Sequence, residues 1–98
     1  MKEMDNVQVI VEKRQYTADG VHKGMYGWIC LDSCVDGYWL VNFPRYGEKD
    51  DIATISIHEK DMKVVRILNV RANEEIERQI AAGEWNVEAM EEDESDQF

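Results

Sequence analysis

Proline occurs once in this sequence, at Pro44, and cysteine twice, at Cys30 and Cys34. Two cysteines cannot build the disulfide framework that holds many small extracellular domains, so reduced thiols and a cytoplasmic setting are expected. No apolar run approaches the roughly 20 residues needed to span a bilayer, and no membrane association is expected. The opening MKEMDNVQVIV carries acids and lacks the long apolar stretch of a secretory signal. A block of basic residues is also missing. Residues 1–71 hold ten Lys/Arg against eleven Asp/Glu, a net of −1, whereas residues 72–98 hold one Arg against ten acids, a net of −9. Nearly all of the chain's formal charge of −10 therefore sits in its last quarter. A near-neutral globular part argues against binding nucleic acid by phosphate neutralisation.

What is present is a set of short strands. Val7, Val9 and Val11 alternate with Gln8 and Ile10, which predicts a first strand with one apolar face. Residues 12–24 form a polar loop, and Met25 to Leu31 is the expected second strand, with Gly27 inside it as a sign of a bulge, a bend or close backbone approach. Asp36-Gly37 is a hairpin-turn dipeptide leading to a third strand, Tyr38 to Phe43, stopped by Pro44. Residues 44–51 are a second polar loop, and Ile52 to Ile57 is a fourth strand with Ala53, Ile55 and Ile57 on one face. His58 to Met62 reads as one helical turn and Lys63 to about Val70 as a fifth strand. Asn73 then caps an expected helix to Ala82, with Glu74, Glu75 and Glu77 in its favoured acidic first turn and Gly83 as its stop. The division is a barrel over 1–71, a helix packed on it within 72–85, and an acidic tail over 86–98 too polar to pack.

This order resembles the SH3-like small β-barrels and, among them, the KOW-type group. The likeness is carried by Val7–Val11, by the run Gly20-Val21-His22-Lys23-Gly24-Met25-Tyr26-Gly27-Trp28-Ile29, and by Gly37-Tyr38-Trp39-Leu40-Val41-Asn42-Phe43. It covers roughly residues 5–66. The resemblance implies a mainly β, five-stranded barrel with an appended C-terminal helix. It also implies that loops 12–24 and 44–51 flank a binding groove, where Tyr16, His22, Lys23, Arg45 and Tyr46 would cluster. Such barrels bind RNA, DNA, peptides and protein surfaces, so the resemblance speaks to fold more than to function.

Strand alternation places Met25, Gly27, Ile29 and Leu31, with Trp39, Val41 and Phe43, on the core face. Tyr26, Trp28 and Cys30, with Tyr38, Leu40 and Asn42, then point outward. An outer face bearing Tyr26, Trp28, Tyr38 and Leu40 is large for a small monomer. Two occupants suggest themselves: the chain's own helix, through Ile76, Ile80 and Trp85, or a partner, which includes a second copy of the chain. Chemistry is thinly represented. Cys30 and Cys34, even with His22 and His58, lack the second short-spaced pair of a zinc site. No nucleophile, base and orienting group fall into a recognisable arrangement. Neither an enzyme nor a metal or other cofactor is expected.

The reading is a non-enzymatic, acidic interaction module with a protein partner, either monomer or homodimer. Charge segregation suggests an inhibitor, of the kind encoded by phages and mobile elements, that occupies a basic surface of a nucleic-acid-binding complex. The competing readings are a KOW-type nucleic-acid binder autoinhibited by its acidic tail, and a small-molecule-binding barrel.

Overall fold

The computed structural model describes residues 1–47 and 49–85, and the expected acidic tail at 86–98 lies outside the described residues. Five strands form one antiparallel sheet: β1 (Asn6–Val9), β2 (Tyr26–Val35), β3 (Tyr38–Phe43), β4 (Ala53–His58) and β5 (Met62–Val65). Two helices accompany them, α1 (Arg14–Thr17) in the first loop and α2 (Val70–Ala81) after the last strand. The strand order is β4-β3-β2-β1-β5.

The two edge strands are successive in the chain, joined only by the 3₁₀ turn Glu59–Asp61. Five flat strands would hold their edges about 19 Å apart at ~4.8 Å per spacing. The step from His58 to Met62 reaches about 14 Å at most, at ~3.5 Å per residue. The sheet must therefore curl, and Ile57 of β4 and Met62 of β5 enter one core with Val7, Val9, Ile29, Val41 and Phe43. No ladder joins β4 to β5 among the described residues, so the expected barrel is an open, barrel-like sheet rather than a closed one.

Two glycines allow the sheet to form as it does. The β2–β3 turn has Asp36 at φ 55° and Gly37 at φ 84°, the paired left-handed residues of a two-residue hairpin. Gly27 marks a close approach. A Cβ there would lie 2.6 Å from the Asn42 carbonyl oxygen and 2.7 Å from Val41 Cγ1, so β3 crosses directly over the bare backbone.

Several boundaries differ from the sequence expectation. The second strand runs on to Val35, but its pairing with β3 is interrupted by a bulge between Ile29 and Cys34, and β1 pairs no further than Trp28. Leu31, expected in the core, is consequently exposed. The fifth strand ends at Val65 because its partner β1 begins at Asn6, so the apolar Ile67 and Leu68 have no strand to pair with. Asn69, not Asn73, caps the helix, its side chain accepting from the Ala72 N–H. At the other end Gly83 (φ 76°) does stop it, with Gly83 N–H bonded to Ile80 O and Glu84 N–H to Gln79 O.

Asn73 lies inside α2 and is fully buried. Its Oδ1 accepts from the Tyr26 N–H at 2.6 Å, and its Nδ2 donates to the carbonyls of Tyr26 at 2.8 Å and Pro44 at 3.1 Å. At this position the next residue of β3 is a proline, which has no N–H to continue the ladder. The Asn73 amide supplies donor and acceptor in its place. With Ile76 buried in the core and Ile80 and Trp85 packed against it, α2 closes one end of the curled sheet.

Candidate functional site

The outer side of the sheet is the first candidate. Register places Trp28 opposite Asn6 on one side and Asn42 on the other, with Thr54 beyond Asn42. Leu40 sits in the next row opposite Ser56, and Tyr26 lies opposite Gln8. Asn42 is buried, donating to Asp51 Oδ2 at 2.8 Å and Thr54 Oγ1 at 2.9 Å. Asn42 reads from sequence only as an outward strand residue, and Asp51 as a loop acid. Tyr26, Trp28 and Leu40 are half-buried, and none belongs to the core cluster or to the residues packed against it. Of the two occupants suggested for this face, the first, Ile76, Ile80 and Trp85, is drawn into the core instead. Those three pack on the core side, and the hydrogen bonds of α2 to β2 all fall at Tyr26. Tyr38 is exposed and stands at the rim, edge-on to His58 with ring centroids 4.9 Å apart.

The loop residues expected to cluster are instead divided by α2. On one side Arg45 donates from Nε and Nη2 to the two carboxylate oxygens of Glu77, at 2.9 and 2.7 Å. The Tyr46 N–H donates to Glu74 at 2.7 Å, and the Arg71 guanidinium lies 5.8 Å from the Tyr46 ring centre. Lys49 is 3.7 Å from Glu74, and Arg78 pairs with Glu75. Arg45, Lys49, Arg71 and Arg78 line an open cleft of about 620 Å³ together with Glu74, Glu75 and Glu77, so its cations are mostly matched by helix acids. Proximity of Glu77 pushes the Arg45 guanidinium up from its ordinary value, as a well-made ion pair does.

On the other side His22 and Lys23 converge on Glu12, a buried carboxylate. Glu12 Oε1 accepts from the Lys23 N–H at 2.6 Å, and Oε2 meets His22 Nδ1 at 2.5 Å and the Trp85 indole N–H at 3.3 Å. Burial works to raise the Glu12 carboxyl. The hydrogen bond from His22, with those from the Lys23 N–H and Trp85, outweighs it and holds the group below its ordinary value. As an ionised carboxylate can only accept, His22 donates from Nδ1. Beside His22 a cavity of about 200 Å³ is lined by Gly20, His22, Glu77, Ile80 and Ala81.

Tyr16, expected among the loop residues open to a partner, is a core residue on α1. Its hydroxyl donates to Asp61 Oδ2 at 2.6 Å and accepts from the His58 N–H at 3.1 Å, and Lys13 Nζ completes the group at 2.9 Å from Asp61. Burial, then Asp61, pushes the phenol well above its ordinary range. The cluster pins the first loop to the turn between β4 and β5. Polarity makes residues 12–24 read as an open loop, and nothing in the local pattern marks Tyr16 as a core residue. Burial also raises the Cys30 thiol, Cys34 is exposed, and both are free. Among the described residues no three His, Cys, Asp or Glu converge on a point that could hold a metal ion, and no helix is long and apolar enough to cross a membrane.

No protein-family model, curated protein or solved structure matches this chain.

Proposed function

We propose that the chain is a non-enzymatic interaction module that grips a protein partner on the outer face of its sheet, with Trp28 as the anchor. The single observation behind this is that Ile76 and Ile80 of α2, with Trp85 after it, pack on the core side, leaving Tyr26, Trp28 and Leu40 half-exposed on the outer face. An aromatic anchor ringed by hydrogen-bonding groups, here Asn6, Asn42 and Thr54, is the usual composition of an interface hot spot. The strand order, the long first loop and the 3₁₀ turn before β5 support the SH3-like reading, in which a small sheet displays side chains rather than enclosing a substrate. The charge of residues 72–98 supplies long-range attraction to a basic partner surface and competes with nucleic acid for it. Nucleic acid is the poorer ligand for this chain, because Arg45, Lys49 and Arg78 are already paired with Glu77, Glu74 and Glu75.

The test compares the full chain with Trp28→Thr and Leu40→Thr, substitutions that keep strand propensity. Proteins retained by the immobilised chain are identified and the leading one purified. Its affinity is expected to fall about tenfold or more for either variant, with the thermal unfolding profile retained. Removing residues 86–98 is expected to flatten the salt dependence of the same affinity. Equal affinities for the outer-face variants and the unaltered chain would overturn the proposal.

A further inference from the structure

Three strand edges of the curled sheet lack a neighbouring strand among the described residues: β5, β2 beyond Ile29, and β4. Sheets blunt such edges with charge, proline, bulges or short length. β5 is four residues long and contains Lys63, and the far part of β2 carries a bulge and Asp32. β4 has none of these devices. Ala53–His58 is six residues without a Lys, Arg, Asp, Glu, Gly or Pro, in unbroken register with β3. The Glu59 N–H donates to the Gly37 carbonyl at 2.8 Å, so by the alternation of an antiparallel ladder Ile57, Ile55 and Ala53 turn their backbone groups to β3. His58, Ser56 and Thr54 turn theirs to the free edge. The Tyr16 hydroxyl takes the His58 N–H at 3.1 Å. The Ser56 and Thr54 N–H groups meet no acceptor among the described residues, and both residues are exposed.

We infer that an extended segment of the partner protein, flanked by lysine or arginine, adds as a further strand to the β4 edge and bonds the backbone groups of Thr54 and Ser56. The inference rests on the interaction-module reading and names the conformation and charge of what the module grips. Strand addition continues the outer face, because Thr54 shares a row with Asn42 and Trp28, and Ser56 shares one with Leu40. Alternate side chains of the added segment extend those rows. Charge sets the flanks. Asp50 and Asp51 lead into β4 and Glu59 follows it, all three exposed. The cations nearby are Lys60 and Lys49, and Lys49 is engaged by Glu74. A second copy of the chain suits this edge poorly. An antiparallel pair of β4 strands centred on Ile55, the register that matches Thr54 to Ser56, sets Asp51 opposite Glu59 at both ends. Each chain also carries a formal charge of −10.

The probe is the peptide acetyl-Lys-Lys-Thr-Val-Thr-Val-Thr-Lys-Lys-amide, added to the full-length protein at constant ionic strength. Its controls are the same peptide N-methylated through its Thr and Val residues, and one with Glu in place of each Lys. The readouts are NMR shifts and hydrogen exchange of the Thr54, Ile55, Ser56 and Ile57 amides. Without peptide, Thr54 and Ser56 should exchange faster than Ile55 and Ile57. Saturable shifts and new protection at Thr54 and Ser56 are expected with the Lys-flanked peptide, and none with the N-methylated one. The Glu-flanked peptide should bind at least about tenfold more weakly. Ser56→Pro should remove the shifts at Thr54, because a proline whose nitrogen faces the open edge spares the β3 ladder. Ser56→Thr should keep them. No saturable shift at the two amides, protection of both before peptide is added, or equal binding of the Glu-flanked peptide overturns the inference. Protection that rises with protein concentration alone overturns it in favour of a second copy. Trp28→Thr should leave the titration unchanged. Loss of partner binding in that variant beside a failed titration would remove the strand site and keep the outer-face module. The converse pair of results would remove the Trp28 anchor and keep the strand site.

Discussion

Glu12 is a side chain whose role appears only when its partners are placed. It is a buried carboxylate with three donors, and it ties the first loop to the segment after α2 through His22, the Lys23 N–H and Trp85. Because its folded pKa is depressed, the stability it contributes is present above its ordinary value of 4.5 and is lost as pH falls through the lower folded value. Glu12→Gln keeps the shape and loses the charge-assisted bonds. It should cost about 1.5–3 kcal/mol at neutral pH, and the gap to the unaltered chain should narrow at about pH 3. Urea unfolding of both chains at the two pH values measures this, and a gap independent of pH would contradict the assignment. From sequence, Glu12 is one acid in a polar loop, since nothing local marks a residue buried by contacts ten and seventy positions away. Gly27 is the opposite case. A glycine amid β-branched and aromatic residues already points to close approach, and Asn42 passes over it.

Among the elements, hairpins and strand alternation were legible because each depends on neighbours in sequence. Asp36-Gly37, the apolar face of β3 and the inward set Ala53, Ile55 and Ile57 all follow from local pattern. The ends of elements were not legible, because they are decided by partners elsewhere. Residues 63–70 carry a strand-like apolar content, but β5 stops where β1 begins. The helix then starts on Asn69, and the second asparagine, Asn73, is used to finish the sheet where Pro44 cannot. This makes α2 part of the sheet rather than an appendage. Asn73→Ala should leave the Tyr26 N–H and the Tyr26 and Pro44 carbonyls without partners, at about 1–3 kcal/mol for each group that water cannot reach. Asn73→Asp should be no better, because a carboxylate has nothing to donate to those carbonyls. Denaturant midpoints should drop for both variants. Amide exchange at Tyr26 should rise before the rest of β2, and a Tyr26 amide as protected as before would contradict the assignment.

At the scale of the whole molecule, charge and apolar surface are kept apart. The part of the chain before α2 is near neutral; Lys13 of the first loop is held by Asp61, and Arg45 and Lys49 of the second loop by Glu77 and Glu74 of α2. The remaining negative charge lies in the last quarter of the sequence. The outward aromatic set was legible from alternation, except for what surrounds it. Asn42, Asp51 and Thr54 form a polar border that depends on the 44–51 loop folding back over β3. Whether α2 covered that set was open from sequence, because Ile76 and Ile80 have the spacing to pack on either side of a sheet. Asn73 fixes α2 at the end of β2 and sends both isoleucines to the core side.

The most direct test of the outer face as the gripping surface is site-specific photo-crosslinking. A photoreactive phenylalanine derivative is placed at Trp28, at Leu40 or, as a control, at Ser33 near the exposed hairpin tip, and the chain is irradiated in extract of its native host. The account predicts one protein adduct shared by positions 28 and 40, absent from position 33, and suppressed by excess unaltered chain but not by the Trp28→Thr chain. Adducts from position 33 alone, or suppression by both chains alike, would contradict it.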